Sequence, residues 1–373
     1  MEQLLQWIEY IEDFRQQSKV KHNLKDIIVI VLFATISNAN TWEEIEDFAK
    51  ANEDYLRKYL ELKNGIPSHD TIQRAMTMIR TEQLQQLQLR WQKLLNSNEG
   101  EVLKKIICID GKTMRSNKSG DRKANHIVSA WSREDGYCLG QKTVYEKSNE
   151  ITAIPKVLEV IEIKGQVVTI DAMGTQTEIV KKIKERRADY VLALKGNQGT
   201  LYEDVKLFMM DKKEKDKIKE KGNYYRTAEK AHGQIEIREY YQTEEIKWLT
   251  TKKEWKGLKS IGMEEKTIKK DGKEKKEYRY YISSLKADIE LFSRAVRGHW
   301  AVESMHWQLD VTFKEDSNHT LDKIAAQNQN VIRKWSLSIL KLLEIRGKKM
   351  SMQRKRFNIS MNPIKYLEEI LTF

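Results

Sequence analysis

The chain begins with apolar positions at helical spacing. "LLQWIEYIEDF" puts its apolar residues on one helical stripe, and "TWEEIEDFAK" starts with Thr41 and has Glu44 three residues later, the spacing of a capping box. "IIVIVLFATI" (Ile27 to Ile36) is apolar on every side, which predicts a buried helix. "GIPSHDTIQRAMTMI" predicts a turn into another helix, capped by Ser68 or Asp70. Residues 1–98 therefore read as a helical N-terminal domain without strands.

From about residue 101 the period changes. "VLKKIICID", "HIVSAWS" and "YCLGQKTVY" predict three consecutive strands, rich in β-branched and aromatic residues. "ITAIPKVLEVIEI" predicts a helix, "QVVTIDA" a buried strand and "TQTEIVKKIKERR" a helix with a capping box at Thr175 and Glu178. "YVLALK" predicts a strand, and "TLYEDVKLFM" a helix boxed by Thr200 and Glu203. The order β-β-β-α-β-α-β-α implies an antiparallel meander followed by parallel strands joined by right-handed crossovers. That is a mixed five-stranded α/β sheet of ribonuclease-H-like arrangement. Residues 204–287 break the rhythm and predict a β-rich insertion, with "DKKEKDKIKEKG" and "KTIKKDGKEKKE" as solvated loops or hairpin tips. One long helix is expected over "DIELFSRAVRGHWAVESMHWQLDVTF". Three domains follow: 1–98, an α/β domain with its insertion over 99–345, and a basic tail over 346–373 that is either a nonspecific grip on a polyanion backbone or, more simply, a solvated end.

Composition narrows the partner. Of the 373 residues 33% are charged, and the formal net charge is +12. Such an excess of cations favours a polyanion, either nucleic acid or an anionic membrane surface. The longest apolar run is about half the ~20 residues that a membrane span needs, which argues against a membrane and for nucleic acid. Cys108 and Cys138 form neither a disulfide framework nor a zinc-knuckle spacing. They read as small core residues in a reducing cytoplasm.

The candidate chemistry lies in carboxylates. In "IICIDGKTMRS" an apolar run meets Asp110, with Lys112 and Arg115 close behind. Asp-Gly is a hairpin signal, so a turn is one reading. A metal-binding carboxylate at the mouth of a sheet is the other. Asp171, ending "QVVTIDA", carries a similar choice between a turn or helix cap and a metal ligand. In open α/β sheets, sites form outside the carboxyl ends of parallel strands, and the predicted topology sets these two strands side by side. At about 100° per residue, His299, Glu303, His306 and Asp310 fall within about 40° of one direction, beside an apolar stripe of Trp300, Trp307 and Val311. Burying the tryptophans against the sheet would aim Glu303 at the aspartates; a solvated helix residue is the alternative. His299 and His306 read as locally hydrogen-bonded side chains. A Zn²⁺ site from these histidines and Glu303 lacks any supporting cysteine cluster.

"GIPSHDTIQR", "IICIDGKTMRS", "VVTIDAMGTQ", "YVLALKGNQ", "HGQIEIREY", "YYISSL" and "RGHWAVESMHWQLDVTFKED" occur in this order between Gly65 and Asp316, within a likeness that runs from about residue 20 to 335. Together they resemble the DDE transposases of the ISAs group, the H-repeat-associated proteins. The resemblance implies a ribonuclease-H-like catalytic domain with Asp110, Asp171 and Glu303 as catalytic triad and metal ligands, and an insertion between the second Asp and the Glu. Gln234 stands where the family pattern has Arg ("HGRIE"), which puts a DNA contact in doubt and leaves the triad intact.

Such a site would hold two Mg²⁺ ions, or Mn²⁺ in their place, ~4 Å apart for in-line attack on a phosphodiester. Water would expose a 3′-hydroxyl at the element end, and that hydroxyl would attack target DNA. Double-stranded DNA, both element ends and target, is the implied partner, without a membrane. Pairing two ends in a homodimer follows by analogy. The expected location is the bacterial cytoplasm, at the nucleoid. Lys112, Arg115, Lys195, Asn197 and Gln198 fall at the same sheet edge, and Arg297 lies about two turns before Glu303. These are candidate grips for phosphate or a displaced base, or else ordinary surface residues. Two rival functions stand beside this one: a nuclease of the same fold without strand transfer, and a noncatalytic DNA-binding relic.

Overall fold

The computed structural model describes residues 2–95, 104–115, 118, 123–144, 150–231, 233–345, 347 and 349–372. Six helices come first: α1 (Glu2–Ile8), α2 (Leu24–Ile36), α3 (Trp42–Ala51), α4 (Glu53–Leu56), α5 (His69–Met78) and α6 (Thr81–Leu95). The expected box at Thr41 and Glu44 forms in full. Ser68, not Asp70, caps α5 by accepting from the Thr71 N–H. α2 is buried on all sides, and no helix among the described residues is long and apolar enough to cross a membrane.

The next part of the chain builds β1 (Ile106–Thr113), β2 (His126–Ser132), β3 (Tyr137–Val144), α7 (Glu150–Val160), β4 (Val167–Ile170), α8 (Thr177–Glu185), β5 (Asp189–Leu194), α9 (Thr200–Met210) and α10 (Lys212–Glu220). As expected, β1, β2 and β3 form an antiparallel meander, β4 pairs parallel with β1, and β5 pairs parallel with β4. Four further strands follow: β6 (Tyr224–Ala231), β7 (Gln234–Thr243), β8 (Ser260–Lys270) and β9 (Lys273–Ser283).

The expectation of a five-stranded sheet is corrected here. β9 pairs antiparallel with β5, so the insertion prolongs the sheet to nine strands in the order β3-β2-β1-β4-β5-β9-β8-β7-β6. A parallel strand at the margin of a sheet offers an unpaired backbone edge, and β9 fills it. "DKKEKDKIKEKG" also differs from its reading as a loop. It folds as α10, because Asp211 caps the Lys213 and Glu214 N–H groups (2.8 and 3.1 Å) and Ile218 supplies a buried anchor. The second charge run is a hairpin tip as expected, turning at Asp271 and Gly272, both at positive φ.

The last helices are α11 (Ile289–Gly298), α12 (Trp300–Val311), α13 (Lys323–Leu342), α14 (Met352–Met361) and α15 (Pro363–Thr372). The single long helix is thus two, parted at His299. Gly298 lies so close to β1 that an added Cβ would stand 3.2 Å from Ile106 and 2.7 Å from Arg133, and its carbonyl accepts from the Cys108 thiol at 3.1 Å. The tail is not a solvated end. α14 buries Arg356, whose guanidinium donates to the Thr35 carbonyl (2.8 Å), the Ala39 carbonyl (3.2 Å), Asn40 Oδ1 (3.1 Å) and the Thr312 carbonyl just beyond α12. One face of the sheet shares a core with α1 to α6 and α11 to α15; the other face packs on α7 to α9.

Candidate active site

Strand alternation builds a cavity at the carboxyl ends of β1, β4 and β5. On β1, Ile106 and Cys108 face one layer and Ile107 and Ile109 the other. Asp110 therefore takes the side of Cys108, beneath α11 and α12. Thr169 and Asp171, then Val191, Ala193 and Lys195, then Arg279 and Tyr281, follow the same two-residue period. All of them line one cavity of about 230 Å³, together with His299, Trp300 and Glu303 from the helices above.

Each carboxylate has its own support. The hairpin reading of Asp110 is corrected, since β1 runs on to Thr113 against β2 while its pairing with β4 stops at Ile109 and Ile170. Asp110 thus stands where the parallel neighbour leaves. His306 Nδ1 lies 3.4 Å from its Oδ2. Burial opposes charge on Asp110, but the His306 hydrogen bond and the charges of His306 and His299 outweigh it and lower the pKa. Asp171 follows β4 directly and does form a turn: its Oδ1 accepts from the N–H groups of Met173 and Gly174, each at 3.0 Å. Glu303 projects from α12 at the mouth. Its pKa is raised, by burial first and then by the negative charge of Asp110. His299 packs its Nδ1 3.2 Å from Thr169 Oγ1, and burial lowers its pKa.

Two local expectations fail. Thr175 does not cap α8, which begins after Gln176. Its hydroxyl instead lies within hydrogen-bonding distance of the Asp171 and Ala193 carbonyls (3.0 and 2.7 Å), tying the β4 and β5 ends together. Thr200 is already inside α9, whose cap is Gly199. The expected apolar stripe of α12 holds only at Trp300, which lines the cavity. Val302, Met305 and Leu309 are buried, while Trp307 and Val311 are 57% and 43% exposed. The polar stripe has an apolar row on each flank, and spacing alone does not say which row faces the sheet.

Among the described residues no group of three or more His, Cys, Asp and Glu side chains forms a ready-made metal cage. The donors nevertheless suit a hard divalent ion. They are carboxylate oxygens, and the cost of charging Glu303, raised by burial first and by the charge of Asp110 second, is what a cation would relieve.

The family described as "Transposase DDE domain" matches residues 102–339, and the one described as "DDE_Tnp_1-associated" matches residues 5–92. The chain belongs to the DDE transposase family. It is 39% identical over 383 residues to "Putative transposase YncI" of Escherichia coli O157:H7, covering 100% of this chain and 95% of that relative. It is also 39% identical over 354 residues to "H repeat-associated putative transposase YhhI" of Escherichia coli strain K12, covering 91% of this chain and 90% of the other.

The basic candidates of this transposase separate by environment. Lys112 is turned inward and consumed: its Nζ lies 2.7 Å from Asp310, 3.0 Å from Glu315 and 3.1 Å from Asp316. Three donors facing three carboxylates leave none for phosphate. Arg115 is 84% exposed. Asn197 and Gln198 donate to the Ala172 carbonyl (2.8 and 2.7 Å), bracing the loop after β5 to the turn that carries Asp171. Arg297 lines a different cleft and pairs with Glu229 at 3.2 Å. Only Lys195 of these candidates lines the carboxylate cavity. Arg279, Tyr281 and Thr169 were missed by sequence reasoning. Their signal was alternation in "YRYYISSL" and "QVVTIDA", which places Arg279 on the face of Tyr281 and Thr169 on that of Asp171.

Proposed function

We propose that this transposase cuts DNA at the ends of its mobile element and joins the freed ends to target DNA, using Asp110, Asp171 and Glu303 as its catalytic carboxylates. The observation that carries the reading is that these three, from β1, the end of β4 and α12, line one cavity with Lys195 beside them. Support for a ribonuclease-H-like core comes from the antiparallel meander followed by two parallel strands, in the order β3-β2-β1-β4-β5.

In the first step a water oxygen bonds to phosphorus at the element end, the P–O3′ bond breaks, and the 3′ oxygen leaves with a proton. In the second, that 3′-hydroxyl bonds to a target phosphorus and displaces the target's own 3′ oxygen. Asp110, Asp171 and Glu303 would hold a pair of Mg²⁺ or Mn²⁺ ions, which when bound would help activate the attacking oxygen and offset charge on the leaving one. Asp171 offers Oδ2, its Oδ1 being committed to the turn. His306 orients Asp110 from α12. Lys195 offsets phosphate charge at the mouth, while Asn197 and Gln198 keep its loop in place. Residues 1–98 assist recognition of the DNA ends, and a homodimer brings two ends together at the nucleoid.

The test is a labelled duplex copied from the element terminus, incubated with purified protein and Mg²⁺. A cut strand followed by a product covalently joined to a second duplex is expected. Cutting without joining would reduce the protein to a nuclease, and neither product would make it a DNA-binding relic.

A further inference from the structure

Arg279 belongs to β9, within the insertion, yet it lines the cavity of Asp110, Asp171 and Glu303. Pairing of β9 with β5, which aligns Leu194 with Tyr280, brings it there. Its guanidinium is held on two sides. One face stacks over the Trp300 ring at 4.7 Å, one turn of α12 before Glu303, and Nη1 lies 3.5 Å from Glu264 Oε2. Glu264 is itself buried and shared with Arg238 Nε at 3.4 Å, so its position is set from deeper in the insertion. Arg279 and Lys195 are the lysine and arginine side chains lining this cavity. They are not equivalent. Lysine is a point charge on a flexible stem, whereas arginine presents a planar fork matched to two phosphate oxygens, and stacking on an aromatic ring leaves that fork's edge available.

We infer that Arg279 contacts the scissile phosphate, forking its guanidinium onto the non-bridging oxygens, so that the β6–β9 insertion completes the active site. The phosphoryl group gathers negative charge on those oxygens as the attacking bond forms and the P–O3′ bond breaks. A preplaced guanidinium therefore binds the transition state better than the ground state. Trp300 and Glu264 act as positioning residues for it. The stack on Trp300 also places this cation one helical turn from Glu303, so the insertion and α12 meet at the reacting group.

This inference rests on the proposed function, and its test includes a control that separates the two. Arg279→Gln and Arg279→Lys are compared with wild type and Asp171→Asn. The assay measures cleavage of the labelled terminal duplex in Mg²⁺, with binding of the same duplex measured in Ca²⁺ and thermal melting alongside. Arg279→Gln is expected to cut at least about a hundredfold more slowly, with binding within threefold of wild type and an unchanged melting temperature. Arg279→Lys is expected to fall between the two, because it keeps charge but loses the fork. Cleavage by Arg279→Gln within threefold of wild type would overturn the inference. So would parallel losses of binding and cleavage, which would make Arg279 a general backbone contact. If Arg279→Gln fails to fold, Arg279→Lys decides: a tenfold or greater loss of cleavage at wild-type binding supports the assignment, and full activity overturns it. Cleavage surviving in Asp171→Asn would sink the triad reading itself, whatever Arg279 does.

Discussion

Asp110 and Lys112 are two residues apart on β1, and each sits among carboxylates. Around Lys112 stand Asp310, Glu315 and Asp316, with Arg333 also 3.5 Å from Glu315. Burial works against charge on Glu315, but Lys112 and Arg333 outweigh it and drive its pKa down to about 2. Around Asp110 stand Asp171 and Glu303; Lys195 and Arg279 line the same cavity, but among the described residues no lysine or arginine forms an ion pair with any of the three carboxylates. There the pKa of Glu303 moves the other way, raised by burial and by Asp110. The difference teaches what each cluster is for. One carries its own cation and is finished as a piece of structure; the other has carboxylates in surplus, which under the proposed function a divalent cation would offset.

The sharpest way to break this contrast is Asp171→Asn. Asn keeps an Oδ1 for the turn bonds but loses the charge, so cleavage should drop by about a hundredfold or more with little change in melting temperature. A mutant that cuts at the wild-type rate would end the contrast. Next in size is Lys112→Met. It strands a buried Glu315 and should cost about 3–5 kcal/mol of stability, read by urea unfolding; a cost near zero would mean that Arg333 alone satisfies the cluster.

Acidity should then separate the two sites. The folded pKa of Glu315 is depressed, so its contribution is complete above the ordinary value of 4.5 and is lost as pH falls toward about 2. Glu315→Gln should flatten that part of the stability curve. Glu303 has the opposite sign: its folded pKa is raised, so the fold loses stability as pH climbs from 4.5 through the raised value. Mg²⁺ should oppose that loss. It should raise the melting temperature more at about pH 8 than at about pH 5, and Glu303→Gln should shrink the increment. The smallest effect is expected at Arg115, which is 84% exposed. Arg115→Ala should change stability by no more than about 0.5 kcal/mol; a larger loss would extend the Lys112 cluster outward through Asp316.

The candidate carboxylates were legible because an Asp follows each of two apolar, β-branched runs, and because the α12 stripe repeats at helical spacing. His306 reaching Asp110 and Asp310 reaching Lys112 follow from that stripe. The direction of Lys112 was not legible. Nothing near it in the chain announces Glu315, which arrives from more than two hundred residues away. The tail misled for a related reason. "RKR" looks solvated, but Arg356 is buried among carbonyls of α2 and the end of α12, partners that exist only once those helices have met. The capping boxes at Thr175 and Thr200 failed because tertiary carbonyls and a glycine turn competed for the same positions.

By itself the sequence determined most of the elements, the alternation along the strands and the residue types that follow the apolar runs, since period and side-chain chemistry are local properties of a chain. Tertiary structure decided which of two apolar rows on α12 turned inward, that β9 would join β5 and carry Arg279 to the carboxylates, and that one three-carboxylate cluster would receive a lysine while the other would not. Those outcomes depend on which surfaces meet across the fold. Burial multiplies the energetic consequence of each such meeting, because a charge withdrawn from water must find its partner in whatever packs against it.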